Sequence, residues 1–265
     1  MKKKPTNSQK KPLVSIITPS YNAASFIAHT LQSVRDQTYS YWEHIIVDDA
    51  SSDATPNLLQ QSAGADPRVR IELLKENQGA AFCRNRATEL AQGDYIAFLD
   101  SDDLWHPEKL QRQIEFMQAQ DCSVCFSSYV HIDEQGKQLG TRINALSSLS
   151  YQKQLRNNYI GNLTGIYSAK KLGKIMAPSI RKRQDWAVWL EAIRLQGKPA
   201  VGLSEVLAYY RVRSGSISSN KWKLIKYNFQ FYRKFLGQSW PVALFNLLRF
   251  FWEYFVHRPK LIEKL

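Results

Sequence analysis

Asp100 and Asp102 flank a single serine, Ser101, and Asp103 follows directly. Two carboxylates two residues apart at a strand end can turn toward one ligand, and hard oxygen donors suit Mn²⁺ or Mg²⁺. The triplet supplies few protein ligands, which fits a cation completed by substrate phosphates and water. Asp103, ahead of Pro107, also reads as a helix-capping acid. A second acidic group lies in Asp48-Asp-Ala-Ser-Ser-Asp53. There Asp49 can pair with the N–H of a nucleobase or cap the next helix. Tyr21 offers a ring to a nucleobase pocket, or a hydrophobic staple with Phe26 behind an Asn22 cap. Arg84 is placed to reach phosphate or balance the aspartates. Asp185 opens a helical stretch, where it is either a general base or an acid that complements the helix dipole.

These residues need a frame. A buried strand over 13–18, a strand over 43–47, one over 69–74 and one over 95–99 alternate with helical patterns over 22–34, 51–62, 79–91 and 107–117. Repeated β-α-β units predict a mainly parallel sheet covered by helices. In such sheets ligands bind beyond the carboxyl ends of the strands. Strand one delivers Thr18-Pro-Ser-Tyr-Asn22 to that edge, strand two Asp48 to Asp53, and strand four Asp100 to Asp103. So many carboxylates repel one another unless a cation, arginines or amide donors share the edge. A further strand is predicted over 124–132, an antiparallel strand near 161–167, a helix over 184–195 and a late strand over 206–212.

Taken in order, Val14-Ser-Ile-Ile-Thr-Pro-Ser-Tyr-Asn22, Ile46-Val-Asp-Asp-Ala-Ser-Ser-Asp53, Asn77-Gln-Gly-Ala-Ala81 with Arg84-Asn85, Gly93-Asp-Tyr-Ile-Ala-Phe-Leu-Asp-Ser-Asp-Asp103 and Gln184-Asp-Trp186 resemble the family 2 glycosyltransferases of bacterial cell-surface polysaccharide synthesis. The resemblance implies the α/β GT-A fold, Rossmann-like with flanking helices, over roughly residues 13–213. It implies an inverting hexosyl transfer from a nucleotide-sugar, by family habit a UDP-sugar, to a lipid-linked or other saccharide hydroxyl. Pro19 and Tyr21 would border the base, and Asp49 would accept from its uracil-type edge. Arg84 would lie near ribose or diphosphate, with Asp100 and Ser101 beside the nucleotide-sugar. Asp102 would hold Mn²⁺ or Mg²⁺ on the diphosphate, and Asp185 would be the general base. The late motif reads Tyr210-Arg-Val-Arg-Ser-Gly-Ser-Ile-Ser218, with Arg213 where many relatives have histidine. Gln184 stands where many have glutamate.

The net charge of +13 is uneven. Residues 1–12 form a basic tail with five lysines, and residues 219–265 carry nine basic side chains against Glu253 and Glu263. Residues 13–218, the catalytic domain of this reading, are nearly neutral. Basic ends attract phosphate-rich surfaces. Cys83, Cys122 and Cys125 form no disulfide framework or zinc set and read as small core residues of a reducing compartment. No apolar segment follows the first lysines closely enough for a signal peptide.

The run 240–256 is apolar and aromatic apart from Asn246, Arg249 and Glu253, which fall on one helical stripe with His257 beyond. At helical rise it is roughly 25 Å long, short of the ~30 Å hydrocarbon core. It therefore reads as an amphipathic segment lying in an anionic membrane surface, the inner face of the cytoplasmic membrane, with packing on the catalytic domain as its rival. A sugar nucleotidylyltransferase is a competing reading, but it wants a glycine- and lysine- or arginine-rich first loop, which Pro19-Ser-Tyr-Asn22 lacks. A basic adaptor for membrane or nucleic acid would not require the carboxylates. A nucleic-acid partner is not expected.

Overall fold

The computed structural model describes residues 11–180, 182–213 and 221–265, with the side chains of 221–224 left aside. The basic tail up to residue 10, Arg181 and the Ser214-to-Ser218 part of the late motif lie outside the described residues. β1 (Val14–Ser20) and β2 (Trp42–Asp48) are buried along their whole length, as strands covered on both faces must be. α1 (Ile27–Arg35) lies between them and packs Ile27, Leu31 and Val34 inward. α2 (Thr55–Ala65), β3 (Val69–Leu73), α3 (Ala80–Leu90) and β4 (Tyr95–Phe98) complete the first half. β1 runs parallel to both β2 and β4, and β2 to β3, so their carboxyl ends share one edge.

The start of α1 differs from the expected Asn22 cap. Asn22 takes a left-handed φ of 45° and belongs to the turn after β1. Its side-chain oxygen accepts from Ser52 N–H at 2.9 Å, and its own N–H donates to Ser51 Oγ at 2.8 Å. These cross-loop bonds hold it outside the helix. Phe26 takes the cap position instead, so the Tyr21–Phe26 staple loses its register. Asp103 also departs from its expected role. Glu108 occupies the cap position of α4 (Lys109–Ala119), without a capping side-chain bond, while Asp103 is tied to another strand.

The second half is more mixed. β5 (Leu104–Trp105) precedes α4, and β6 (Val124–Ile132) follows it over the expected residues. β7 (Gln138–Ile143), β8 (Ser148–Leu149), α5 (Tyr151–Arg156), β9 (Ile166–Ser168), α6 (Ala169–Leu172), α7 (Gln184–Gln196) and β10 (Ala200–Arg211) come next. β9 is the expected antiparallel strand, inserted between β4 and β6. β10 runs parallel to β6 and begins earlier than expected, with register shifts between Leu203 and Ala208 that interrupt its alternation. Gly202 permits that start, because a Cβ there would lie 2.1 Å from the Leu146 carbonyl oxygen. The three cysteines are buried and free, as small core residues.

The C-terminal segment forms α8 (Lys221–Gln230), α9 (Trp240–Trp252) and β11 (Ile262–Lys264), which adds antiparallel to β7. A π-helical turn, Phe231–Phe235, joins the two helices. Phe231 stacks on Trp186 of α7 with centroids 4.3 Å apart, and Tyr232 and Phe250 pack around the same indole. Tyr232 Oη donates to the Leu155 carbonyl, and Trp186 Nε1 to that of Gln154. These aromatics join α5, α7 and α9 in one core.

α9 turns its polar stripe inward. Asn246 donates to Gln238 Oε1 at 2.9 Å, and Glu253, only 1% exposed, pairs with Lys153 and accepts from Tyr159 Oη. Its outer face is apolar, with Trp240 66%, Leu248 61% and Trp252 62% exposed, and Phe255 just beyond at 68%. Among the described residues no helix is long and apolar enough to cross a membrane.

Removing the Phe231 ring leaves a cavity against Trp186. The variant Phe231→Ala is expected to lose about 3–5 kcal/mol in chemical denaturation. Fluorescence and circular dichroism should report one coincident transition; a separate early loss of the C-terminal helices would show that they do not share the core's cooperativity.

Candidate active site

The acids at the sheet edge divide by the kind of donor that satisfies them. Those after β2 are met by local amides and hydroxyls. Asp48 accepts from Ser51 N–H at 2.9 Å and from its hydroxyl at 2.7 Å. Asp49 is buried and accepts from the N–H groups of Gln78 and Gly79 at 2.6 and 2.9 Å. Gly79 holds φ 89°, which an L side chain rarely adopts, so glycine is the residue that lets this turn lead into α3. Asp53 accepts from Ala24 and Thr55 N–H, and those bonds, against burial, hold its carboxyl below the usual range.

The acids after β4 are met by arginines. Arg84 of α3 donates to Asp100 Oδ1 at 3.0 Å, and Asn162 adds a bond to the same oxygen at 3.2 Å. Arg213 Nε lies 3.1 Å from Asp102 Oδ2. Burial, then the charge of Asp100, raises the Asp102 carboxyl, with Arg213 and Arg211 opposing. Asp103 is raised well above its usual range by burial and by its two acidic neighbours. It accepts the Arg211 N–H at 2.9 Å, so it ties the β4 end to β10. Arg211 is a strut, donating to the carbonyls of Asp102, Asp133 and Glu134.

The residues present fit a divalent cation. Among the described residues no hydrogen bond to Oδ2 of Asp100 is found, and the ion pair of Asp102 with Arg213 uses Oδ2. Burial first, and then the charge of Asp100, disfavour the ionised Asp102 carboxyl, and a cation would offset both. No group of three or more His, Cys, Asp or Glu among the described residues could hold a metal. Substrate oxygens and water would have to complete the coordination.

Asp100, Asp102, Arg84, Arg213 and Asp185 line one cavity of ≈ 920 Å³. Pro19, Tyr21, Asp49 and Ser101 are not among its lining residues. Pro19 sits in β1 opposite Val47, Tyr21 is 53% exposed beyond it, and Ser101 accepts from Thr30 Oγ1 through its carbonyl. Asp185 enters the cavity in the first turn of α7 and accepts from Asn158 Nδ2 at 2.7 Å. Arg84 reaches the same helix, because its second amino group donates to Gln184 Oε1 at 3.0 Å. One guanidinium thus links the β4 acids to the helix carrying Asp185. Sequence reading marked Gln184 only as a departure; its partner lies 100 residues away in the chain. Asn158, Asn162, Arg183 and Arg258 also line the cavity and carry no local pattern that would single them out.

Comparison with known proteins agrees with this geometry. A family model described as "Glycosyl transferase family 2" matches residues 15–175. A putative teichuronic acid biosynthesis glycosyltransferase, TuaG of Bacillus subtilis (strain 168), is 46% identical over 87% of this chain and 93% of its own. The Escherichia coli UDP-Glc:alpha-D-GlcNAc-diphosphoundecaprenol beta-1,3-glucosyltransferase WfgD is 36% identical over 81% of this chain and 83% of its own. The fold is similar to that of S. aureus TarS 1–349 in complex with UDP-GlcNAc, with a TM-score of 0.71 at 20% identity over 93% of this chain and 74% of that one. A match over most of the β1-to-α6 region, with two relatives aligned over most of their length, places the fold and the chemistry together: the chain belongs to glycosyl transferase family 2.

Proposed function

We propose that this glycosyltransferase moves a sugar, with inversion, from a UDP-sugar to a hydroxyl of a lipid-linked saccharide during cell-surface polysaccharide synthesis. The observation that carries the reading is the single cavity joining the Asp100–Asp102 pair to Asp185. Its volume lies within the range of small-molecule sites and leaves room for a hexose between the two ends. The UDP-glucose donor and diphosphoundecaprenol-linked acceptor in the name of the E. coli relative support the two substrate classes.

Asp185 takes the proton of the acceptor hydroxyl as that oxygen attacks the anomeric carbon. The bond from that carbon to the donor diphosphate breaks on the opposite face, so the configuration inverts. Asn158 holds the Asp185 carboxylate in one orientation. Arg84 and Arg213 set positive charge at the departing diphosphate. A Mn²⁺ or Mg²⁺ held by Asp102, with Asp100 beside it, would neutralise the remaining charge there. Pro19, Tyr21 and Asp49 are assigned to the nucleobase side, at the neighbouring ends of β1 and β2. Asp49 then has a second task, since it already fixes the turn at 77–79.

The apolar outer face of α9 supports attachment to an anionic membrane at the cytoplasmic side, where a lipid-linked acceptor would be met. Arg233, Lys234, Arg258 and Lys260 flank that face. Competing readings gain nothing. The first loop, bound to Ser51, Ser52 and Thr55, offers no cation for a triphosphate.

Replacing Asp185 with asparagine is expected to lower transfer by about 10²–10⁴-fold and leave the donor dissociation constant within about two-fold; retained transfer would remove Asp185 from the base role. Isothermal titration of UDP-sugars with and without Mn²⁺ should show that Asp102→Ala loses the metal-dependent part of donor affinity. Wild-type binding and transfer that persist in EDTA would count against the metal. The double variant L248D/W252D should keep its melting temperature, since both side chains point outward, and stop sedimenting with phosphatidylglycerol vesicles. Unchanged sedimentation would refute the membrane face.

A further inference from the structure

Five arginines line the cavity: two are paired with acids, Arg211 is taken up by backbone carbonyls, and two remain. Arg84 and Arg213 face Asp100 and Asp102. Arg183 and Arg258 stand at the other end, near Asp185, and neither forms an ion pair among the described residues. Their anchors are neutral. Arg183 Nε donates to Asn228 Oδ1 at 2.7 Å, and Asn228 is buried. Arg258 Nη1 donates to Asn157 Oδ1 at 3.3 Å and to the Asn158 carbonyl. These anchors, the Tyr129 hydroxyl that also meets Arg258, and the Trp186 and Tyr159 rings beside the two guanidiniums are all uncharged, so they fix the side chains without cancelling their charge.

The backbone adds to this. Arg183 has φ 72° and ψ 20°, a left-handed conformation uncommon for a residue with a Cβ. The two cations also act on each other: burial, and then the charge of Arg258, work against the charged form of Arg183, while Asp185 favours it. Asp185 offsets part of this charge but forms no ion pair with either guanidinium among the described residues, so two cations on one cavity wall can still receive an anion with several oxygens.

Position identifies the anion. Asn158 donates to Asp185 through its side chain and accepts from Arg258 through its carbonyl. An anion at Arg258 is therefore separated from the base by one residue. Phe250, Tyr254 and Phe255, from the same segment as Arg258, also line the cavity, and Phe255 is exposed just beyond the apolar face of α9. A base, cations and aromatics that adjoin an apolar surface are the groups that would meet the hydroxyl, the sugar-linked phosphate and the hydrocarbon of a lipid-carried saccharide.

We propose that Arg183 and Arg258 bind the diphosphate that joins the acceptor saccharide to its lipid, at a site separate from the one that holds the donor diphosphate. The proposal rests on the lipid-linked acceptor of the preceding reading and adds the residues that recognise it. The same phosphate chemistry could be presented by a phospholipid headgroup or by the donor, and the test distinguishes these sources.

Binding to the full-length chain is measured by titration calorimetry below the detergent's critical micelle concentration, using dodecyl diphosphate and, as a phosphate-free control, dodecyl maltoside. Wild type should bind dodecyl diphosphate at least about ten-fold more tightly than the maltoside, with the preference unchanged at saturating UDP and Mn²⁺. R183Q and R258Q should each lose most of that preference while keeping the wild-type melting temperature. No preference in wild type overturns the site without recourse to any variant. Displacement of dodecyl diphosphate by UDP would assign the arginines to the donor instead. Variants that keep the dodecyl diphosphate preference but lose sedimentation with phosphatidylglycerol vesicles would assign them to the membrane headgroups. The assay does not require turnover, so absence of sugar transfer from every UDP-sugar would sink the functional reading and leave this result standing by itself.

Discussion

Everything at the catalytic edge depends on how Arg84 is held. Its side chain is nearly buried, and its two amino groups point to different parts of the fold, one to Asp100 and one to Gln184. Asp100 and Asp102 stand close enough for the charge of one to raise the carboxyl of the other. Without a counter-charge that repulsion would open the loop after β4. Removing one partner of a fully buried pair costs about 3–5 kcal/mol, and less applies here because the Asp100 side chain is 36% exposed. The neutral amide of Gln184 matters in this balance. A glutamate at that position would share the guanidinium charge, whereas glutamine takes a hydrogen bond and leaves the charge to Asp100.

The division of donors among the acids explains which of them are free to act. Asp48, Asp49 and Asp53 are spent on backbone N–H groups and hydroxyls, and they shape the loops after β1 and β2. Amides are fixed in place, so these carboxylates can meet a ligand only where the turns already hold them. Asp100 and Asp102 instead face arginines: Arg84 is held between Asp100 and Gln184, whereas Arg213, 39% exposed, has room to move.

Much of this was legible in the sequence because it is local. Buried strands that run from apolar residues into Thr18-Pro-Ser-Tyr-Asn22, Asp48-Asp49 and Asp100-Ser-Asp102 announce both the sheet and its functional edge. β6 and α7 fell where periodicity put them. What was not legible depends on contacts between distant segments. Asn22 looks like a helix cap until Ser51 and Ser52 claim it. Asp103 looks like a cap until Arg211 arrives from β10. Asn158 and Arg258 carry no motif; they become part of the cavity because α5, α7 and the C-terminal segment meet there.

The orientation of α9 follows from the same limit. Its stripe of Asn246 and Glu253 makes it amphipathic, but periodicity alone does not say which face meets the protein. Glu253 decides it. Burial opposes its charge, yet the bonds from Lys153 and Tyr159 outweigh that and hold its carboxyl below the usual range. Both partners come from the α5 region, so the ion pair works only if the polar stripe faces inward. The inward stripe then forces Trp240, Leu248 and Trp252 outward. An exposed aromatic face is costly in water unless something apolar covers it. Because Phe250, Tyr254 and Arg258 of the same segment wall the cavity, whatever covers that face also adjoins the cavity wall.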